Sequence, residues 1–265
     1  MDLQLTGRTA LIVGGSAGIG RAIATTLARE GARIVVASRS TRAMSTAEEI
    51  AFDLNVEVKG MLVDTTDDAS VRKLITQITK TLGGVDILVN TAAAPWTPDK
   101  NVSALETSDD LLKGEFDTKV VGYLRTARAV APGMVERGWG RIINVSGLGA
   151  RNAWSVTQTV RNVGVAALTK NLADELGPSG INVTVVHPGI TKTEGWKQRM
   201  MCEATQSGRT PEALEDAAAA KTSIRRVVDA TEVADVVAFL ASPRSVSITG
   251  DAIVVGGGTP GPVYY

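Results

Sequence analysis

The sequence predicts a doubly wound α/β domain, a parallel sheet of about seven strands with helices on both faces. Three observations predict it. Short, β-branched apolar segments alternate with longer stretches of helical period along the chain. Those short segments are almost continuously apolar, as strands buried on both faces are. The 265 residues are 44% hydrophobic and 21% charged, with no internal repeat and no low-complexity linker. The whole chain, 1–265, therefore reads as one domain.

Strands are expected near Thr9–Val13, Arg33–Ala37, Val56–Val63, Asp86–Val89, Arg141–Val145, Ile181–Val186 and Asp251–Val255. Helical patterns fall between them, near Ile19–Glu30, Thr41–Leu54, Ser70–Leu82, Glu106–Arg137, Ser155–Leu176 and Thr231–Ala241. Gly31 and Gly177 stand where helices should end, with Pro178 just beyond the second. One segment, 191–226, breaks the alternation: it is polar and helix-prone, interrupted by Gly195, Gly208 and Pro211. Ligands of open α/β sheets bind beyond the carboxyl ends of the strands. An insertion after the sixth strand is therefore expected to serve as a substrate lid.

Charge excludes several partners. Lys plus Arg number 28 and Asp plus Glu number 28, so no net field favours nucleic acid or an anionic membrane. The longest apolar run, Val236 to Ala241, falls far short of the ~18 residues of a membrane span. The start Met1-Asp2-Leu3-Gln4 is unlike a secretory leader. A single cysteine, Cys202, forms no internal disulfide, and with one histidine, His187, it makes a Cys/His metal site implausible. A soluble, cytoplasmic protein acting on a small molecule is the expectation.

The sharpest motif is Gly14-Gly15-Ser16-Ala17-Gly18-Ile19-Gly20, directly after the first strand and opening the first helix. Glycine permits the tight turn and lets backbone approach a pyrophosphate; the helix start offers unpaired N–H groups and partial positive charge. The end of the second strand bears on the nucleotide. Ser38 stands where an acid would bind the ribose hydroxyls of NAD, and Arg39 follows with a guanidinium suited to a 2′-phosphate. NADP(H) is favoured, and NAD(H) stays possible.

The Gly-x-x-x-Gly-x-Gly spacing resembles the short-chain dehydrogenase/reductase family, whose fold is of the Rossmann type, and the resemblance runs over almost the whole chain. Further matches come in order: Asp64, Asn90-Thr91-Ala92-Ala93, Asn144-Val145-Ser146, and Pro188-Gly189 with Thr193. The resemblance implies that Asp64 contacts the adenine ring and that the Asn90 segment steadies the sheet beside the cofactor. It also implies that Pro188, Gly189 and Thr193 lie against the nicotinamide. Val13 and Ala93 depart from the usual threonine and glycine, and neither departure removes a phosphate contact.

Family members oxidise alcohols or reduce carbonyls with a serine, a tyrosine and a lysine four residues after the tyrosine. Here the resemblance puts Gly147 at the serine, Gln158 at the tyrosine and Asn162 at the lysine position. A fourth family position, an asparagine, falls on Lys119. All four family residues are replaced. An amide such as Gln158 orients a carbonyl but supplies no proton, and general acid–base help is worth roughly 10²–10⁴ in rate. Two readings of Lys119 stay open. Either its ammonium projects into the space Asn162 vacates, with Asn162 kept on the ribose, or it is a surface lysine on the helix edge.

His187, Tyr123, Tyr264 and Tyr265 are lesser candidates for the missing acid. Trp96, Trp154 and Trp196 follow the fourth, fifth and sixth strands and either wall an apolar substrate pocket, beside Gly147, or pack the lid. The expectation is an NADP(H)-dependent oxidoreductase of carbonyl or alcohol groups on a hydrophobic small molecule, with altered proton handling. A catalytically inactive cofactor-binding scaffold and a non-redox enzyme remain alternatives. The resemblance also implies a homodimer or homotetramer, formed through the two long helices and the last strand.

Overall fold

A computed structural model describes residues 1–94 and 102–260. The chain alternates β1 (Thr9–Val13), α1 (Gly18–Arg29), β2 (Arg33–Ser38), α2 (Arg42–Leu54), β3 (Val58–Leu62), α3 (Asp68–Leu82) and β4 (Ile87–Asn90). It continues through α4 (Asp109–Phe116), α5 (Gly122–Arg137), β5 (Gly140–Val145), α6 (Val156–Leu176), β6 (Ile181–Pro188) and β7 (Thr191–Lys192). The last elements are α7 (Glu194–Ser207), α8 (Pro211–Ala219), β8 (Val228–Asp229), α9 (Ala230–Ala241) and β9 (Ala252–Val255). Seven strands form one parallel sheet in the order β3-β2-β1-β4-β5-β6-β9. The order reverses direction between β1 and β4, where such sheets open a crevice at their carboxyl ends.

Strand side chains alternate between two cores because successive Cβ atoms point to opposite faces. Ala10 and Ile12 join α1, α2 and α9 through Ile23, Leu27, Ile50, Val233 and Val237. Leu11 and Val13 join α3, α5 and α6 through Leu74, Ile78, Val130, Met134 and Leu172. Register brings the strand ends level: Val13 pairs with Asn90, Asn90 with Asn144, and Val145 with Val186. Among the described residues no helix is long and apolar enough to cross a membrane.

Several expected boundaries shift. The single helix over Glu106–Arg137 is instead α4, a π-helical turn at Asp117–Val121, and α5. Its start is fixed by Ser108, whose Oγ accepts the Leu111 N–H at 3.2 Å, with Asp109 and Asp110 in the first turn. Glu106 lies outside the helix and accepts the Ser103 hydroxyl at 2.7 Å. β3 begins at Val58 because Asn55, left-handed at φ 52, turns the chain out of α2. α6 does end at Leu176 with Gly177 as its cap, as expected, but Gly177 keeps a helical φ of −53, and the left-handed residue that turns the chain into β6 is Gly180, φ 79.

The 191–226 segment forms α7 and α8, with Gly208 (φ 69) ending the first and Pro211 opening the second. Gly195 does not interrupt; it lies in the first turn of α7. The two helices share a small core of Trp196, Met200, Leu214 and Val227. β7 and β8 close its root as a two-residue parallel pair.

Candidate active site

The backbone builds one end of the crevice. Gly14 has φ 86, and a Cβ there would stand 2.6 Å from the Ala92 nitrogen. A Cβ on Gly20 would run into the Gly14 carbonyl and lie 2.7 Å from Thr91 Oγ1. The loop can pass this close to β4 only with glycine at both positions. α1 starts on Ala17 with no side-chain cap and no acid in its first turn, so its end is left open to an anion. One group already reaches it: the Gly18 N–H donates to Glu194 Oε2 at 3.0 Å. Glu194 in turn lies 3.7 Å from Arg21, which pairs with Glu49 at 2.9 Å. Thr46 of α2 donates to the Ser16 carbonyl at 3.1 Å and ties the loop to the neighbouring helix.

Ser16, Ser38 and Arg39 line one cleft together with Val63, Thr65 and Thr91. Arg39 is exposed at this cleft. Asp64 turns its carboxylate onto its own loop, accepting the Thr66 N–H at 2.9 Å and the Thr66 hydroxyl at 2.7 Å. Those two hydrogen bonds, aided by Arg39 and Arg125, hold its carboxyl below the usual range.

A second cleft, about 580 Å³, joins Gly14, Gly18, Ile19 and Gly20 to Lys119, Gly147, Gln158, Asn162, Pro188, Gly189 and Thr193. Beneath it runs a buried amide network. Asn90 donates to Asn144 at 3.0 Å and accepts from Thr126 at 2.8 Å, and Asn144 donates to Thr169 at 3.0 Å. These bonds satisfy polar groups that the sheet ends would otherwise strand. The structure thus brings the glycine loop, Lys119, Gln158, Asn162 and Gly147 to one cavity, and sets Ser38 and Arg39 in the neighbouring one.

The surface-lysine reading of Lys119 is excluded. Its exposure is 5%, and Nζ donates to the Ser146 carbonyl at 2.9 Å. Among the described residues no carboxylate pairs with it, and burial pushes its ammonium down to about 8. The π-helical turn carries it, a local insertion of the kind often found at functional sites. Asn162 is packed beside it in the same cavity: Ser146 Oγ lies 3.1 Å from its carbonyl and 3.2 Å from Oδ1. A Cβ on Gly147 would stand 3.2 Å from Asn162 Nδ2, so the glycine makes room for that amide. Gln158 sits in the first turn of α6, its N–H accepted by the capping Ser155 hydroxyl at 3.3 Å, and its side chain is half-buried.

The lesser candidates are placed less favourably. The Tyr123 hydroxyl is sealed in the core on the Val145 carbonyl at 3.0 Å, and burial raises its pKa above the usual phenol range. His187 is buried, and burial, then Arg151 and Lys119, lower it to about 4, leaving it neutral near pH 7. Trp154, 54% exposed, and Trp196, 8% exposed, line a third cleft with Ile19, Ile190 and Cys202, so two of the three indoles share one wall. Trp196 also anchors the core of α7 and α8. Trp96, Tyr264 and Tyr265 lie outside the described residues.

Three site residues escaped the sequence reading. Arg42 and Arg161 line the central cavity, and Glu194 reaches the α1 terminus. Only Glu194 carried a signal, an acid following the helix-capping Thr193.

Comparison with known proteins agrees with this architecture. Residues 13–260 match the family model described as enoyl-(acyl carrier protein) reductase. The chain is 34% identical over 260 residues to the 3-oxoacyl-[acyl-carrier-protein] reductase FabG of Vibrio cholerae, covering 97% of this chain and 98% of that one. It is 32% identical over 254 residues to a putative ketoacyl reductase of Streptomyces coelicolor, covering 94% and 95%. Among solved structures, the L-sorbose reductase of Gluconobacter frateurii complexed with NADPH and L-sorbose superposes with a TM-score of 0.92 at 29% identity, over 98% of both chains. With the sheet order, the glycine loop and these matches in agreement, the chain belongs to the short-chain dehydrogenase/reductase family.

Proposed function

We propose that the protein is an NADP(H)-dependent oxidoreductase of carbonyl and alcohol groups in which Lys119 handles the proton. The reductase names of its relatives and the NADPH complex of its structural neighbour support the reaction class. The observation that carries the proton assignment is Lys119 itself, a buried ammonium without a carboxylate partner among the described residues, in one cavity with Gln158 and Asn162.

The residues present fit such a cofactor. The uncapped start of α1 suits a pyrophosphate, with Gly14, Ser16, Gly18, Ile19 and Gly20 around it. Ser38 and Arg39 take the 2′-phosphate, and Asp64 flanks the adenine side. Asn162 holds the ribose, and Pro188, Gly189 and Thr193 hold the nicotinamide. NADPH supplies the hydride when bound. Gln158 donates an amide N–H to the substrate carbonyl oxygen and orients it. Lys119 holds a proton at Nζ and gives it to that oxygen as negative charge develops; in the oxidative direction it takes the proton back. Trp154 and Trp196 offer an apolar wall to the substrate body, and the α7–α8 insertion acts as the lid. The protein works as a homodimer or homotetramer, and a monomer in light scattering would overturn that part.

Titration with NADPH and, separately, NADH tests the foundation. Tighter binding of NADPH is expected, and binding of neither would refute the reading. Reductive turnover should then be full below about pH 8 and fall above it, as the Lys119 ammonium loses its proton.

A further inference from the structure

The wall of the central cavity holds a second buried cation. Arg161 lies on α6 three residues after Gln158, and residues at that spacing are neighbours on one helix surface. Its side chain is 16% exposed and paired with Glu115 of α4, itself 4% exposed. A guanidinium has five N–H donors in a fixed fork. Glu115 engages Nη1 and Nε is sealed from solvent, while Nη2 has no hydrogen-bond partner among the described residues and is the donor left for a ligand. Burying a cation is costly, and leaving its donors unmade adds to the cost. A structural ion pair alone would not require the guanidinium to line a ligand cavity.

Charge in the cavity points the same way. At the glycine-loop end Arg42 lines the cavity, and Glu194 is engaged by Arg21 and the Gly18 N–H. At the α6 end Lys119 and Arg161 line the cavity, and among the described residues Glu115 pairs with Arg161 while no carboxylate pairs with Lys119, which leaves the lining net positive. We infer that Arg161 is an anchor for a substrate carboxylate, so that the substrate is an oxo acid whose carbonyl meets Gln158 and Lys119 while its carboxylate meets Arg161. This assignment rests on the oxidoreductase reading and names its substrate class. Helix neighbours at this spacing stand about 5–6 Å apart between Cβ atoms, which favours acids with only a few bonds between the two groups.

The test pairs acetoacetate, levulinate and benzoylacetate each with its methyl ester, with affinity measured by calorimetry in the presence of NADP⁺ and in its absence. Each acid is expected to bind at least about tenfold more tightly than its ester, as a charge-assisted hydrogen bond provides. Arg161→Gln alone strands Glu115, so the double variant Arg161→Gln/Glu115→Gln is measured beside it. In both the acid-to-ester ratio should collapse toward one, and Arg161→Lys should restore part of it. Equal binding of acid and ester by the unaltered protein, a preference that survives in the double variant, or no binding of any acid would each overturn the assignment. NADPH binding by the unaltered protein, measured separately, shows whether the cofactor reading has failed instead.

Discussion

The two ends of the central cavity are made of different material. At the glycine loop the chemistry is carried by backbone: the open N–H groups of α1 and a close approach to β4 that no Cβ would permit at Gly14 or Gly20. At the α6 end the lining is side chains, Lys119, Gln158, Arg161 and Asn162, brought together from α6 and the π-helical turn, and the proposed chemistry falls to them. A backbone site depends on a short stretch of sequence and tolerates little. A side-chain site depends on distant packing and can be rewritten residue by residue while the fold persists. That contrast would account for the proposed reading, in which the glycine-loop end keeps its family's pattern while the α6 end departs from it.

The largest expected effect tests the backbone end. Gly20→Val places side-chain atoms where the Gly14 carbonyl and Thr91 hydroxyl lie, and neither can retreat without moving the loop. NADPH affinity should fall by at least about a hundredfold, or roughly 2.7 kcal/mol, in calorimetry. A near-normal affinity would show that the loop does not make the cofactor contact.

Lys119→Met tests the other end and should separate activity from stability. Turnover is expected to fall by about 10²–10⁴, the worth of a general acid; unchanged turnover together with unchanged cofactor affinity would remove Lys119 from the mechanism. Stability should move the opposite way. Burial holds the ammonium near 8, below its ordinary 10.5, so between those values the unfolded chain keeps a proton that the folded chain has released. The penalty on folding is complete below about pH 8 and shrinks as pH rises toward 10.5. The Met variant should therefore melt higher than the parent at pH 7, with the gap closing toward pH 10.5. A parent that gains nothing over this interval would refute the buried-ammonium account.

The same contrast sorts what the sequence could reveal. The seven strands, their parallel arrangement and the glycine loop were legible because apolar runs and glycine spacing act locally. Lys119 could be placed opposite Asn162 by family resemblance, yet its burial could not, because the π-helical turn that carries it left no mark in the expected continuous helix. Arg161 was invisible for a related reason: its partner Glu115 lies 46 residues away on another helix. Trp196 was legible as a rim residue, but its packing against Leu214 and Val227 depends on how α7 folds over α8.

A smaller effect is expected at Arg39, which is exposed at its cleft and is proposed to meet the 2′-phosphate. Arg39→Ala should reduce the preference for NADPH over NADH by about tenfold, within the range of a charge-assisted hydrogen bond. An unchanged ratio of the two dissociation constants would move the 2′-phosphate contact to another residue, with Arg42 the next to test.

The smallest effect lies where a side chain intrudes on the backbone end. Glu194 accepts the Gly18 N–H at 3.0 Å at the very terminus proposed to receive the pyrophosphate. A carboxylate there satisfies an orphan donor and complements the helix dipole, so it competes with an incoming phosphate for the same position. Glu194→Gln removes the negative charge while keeping an acceptor. NADPH should then bind a few-fold more tightly, consistent with the roughly 0.3–1 kcal/mol of an exposed helix-terminal charge, and added salt should narrow the difference. Weaker binding would reverse the argument: Glu194 would then be a brace that holds the loop open through Arg21, and the two ends of the cavity would share the same dependence on side chains.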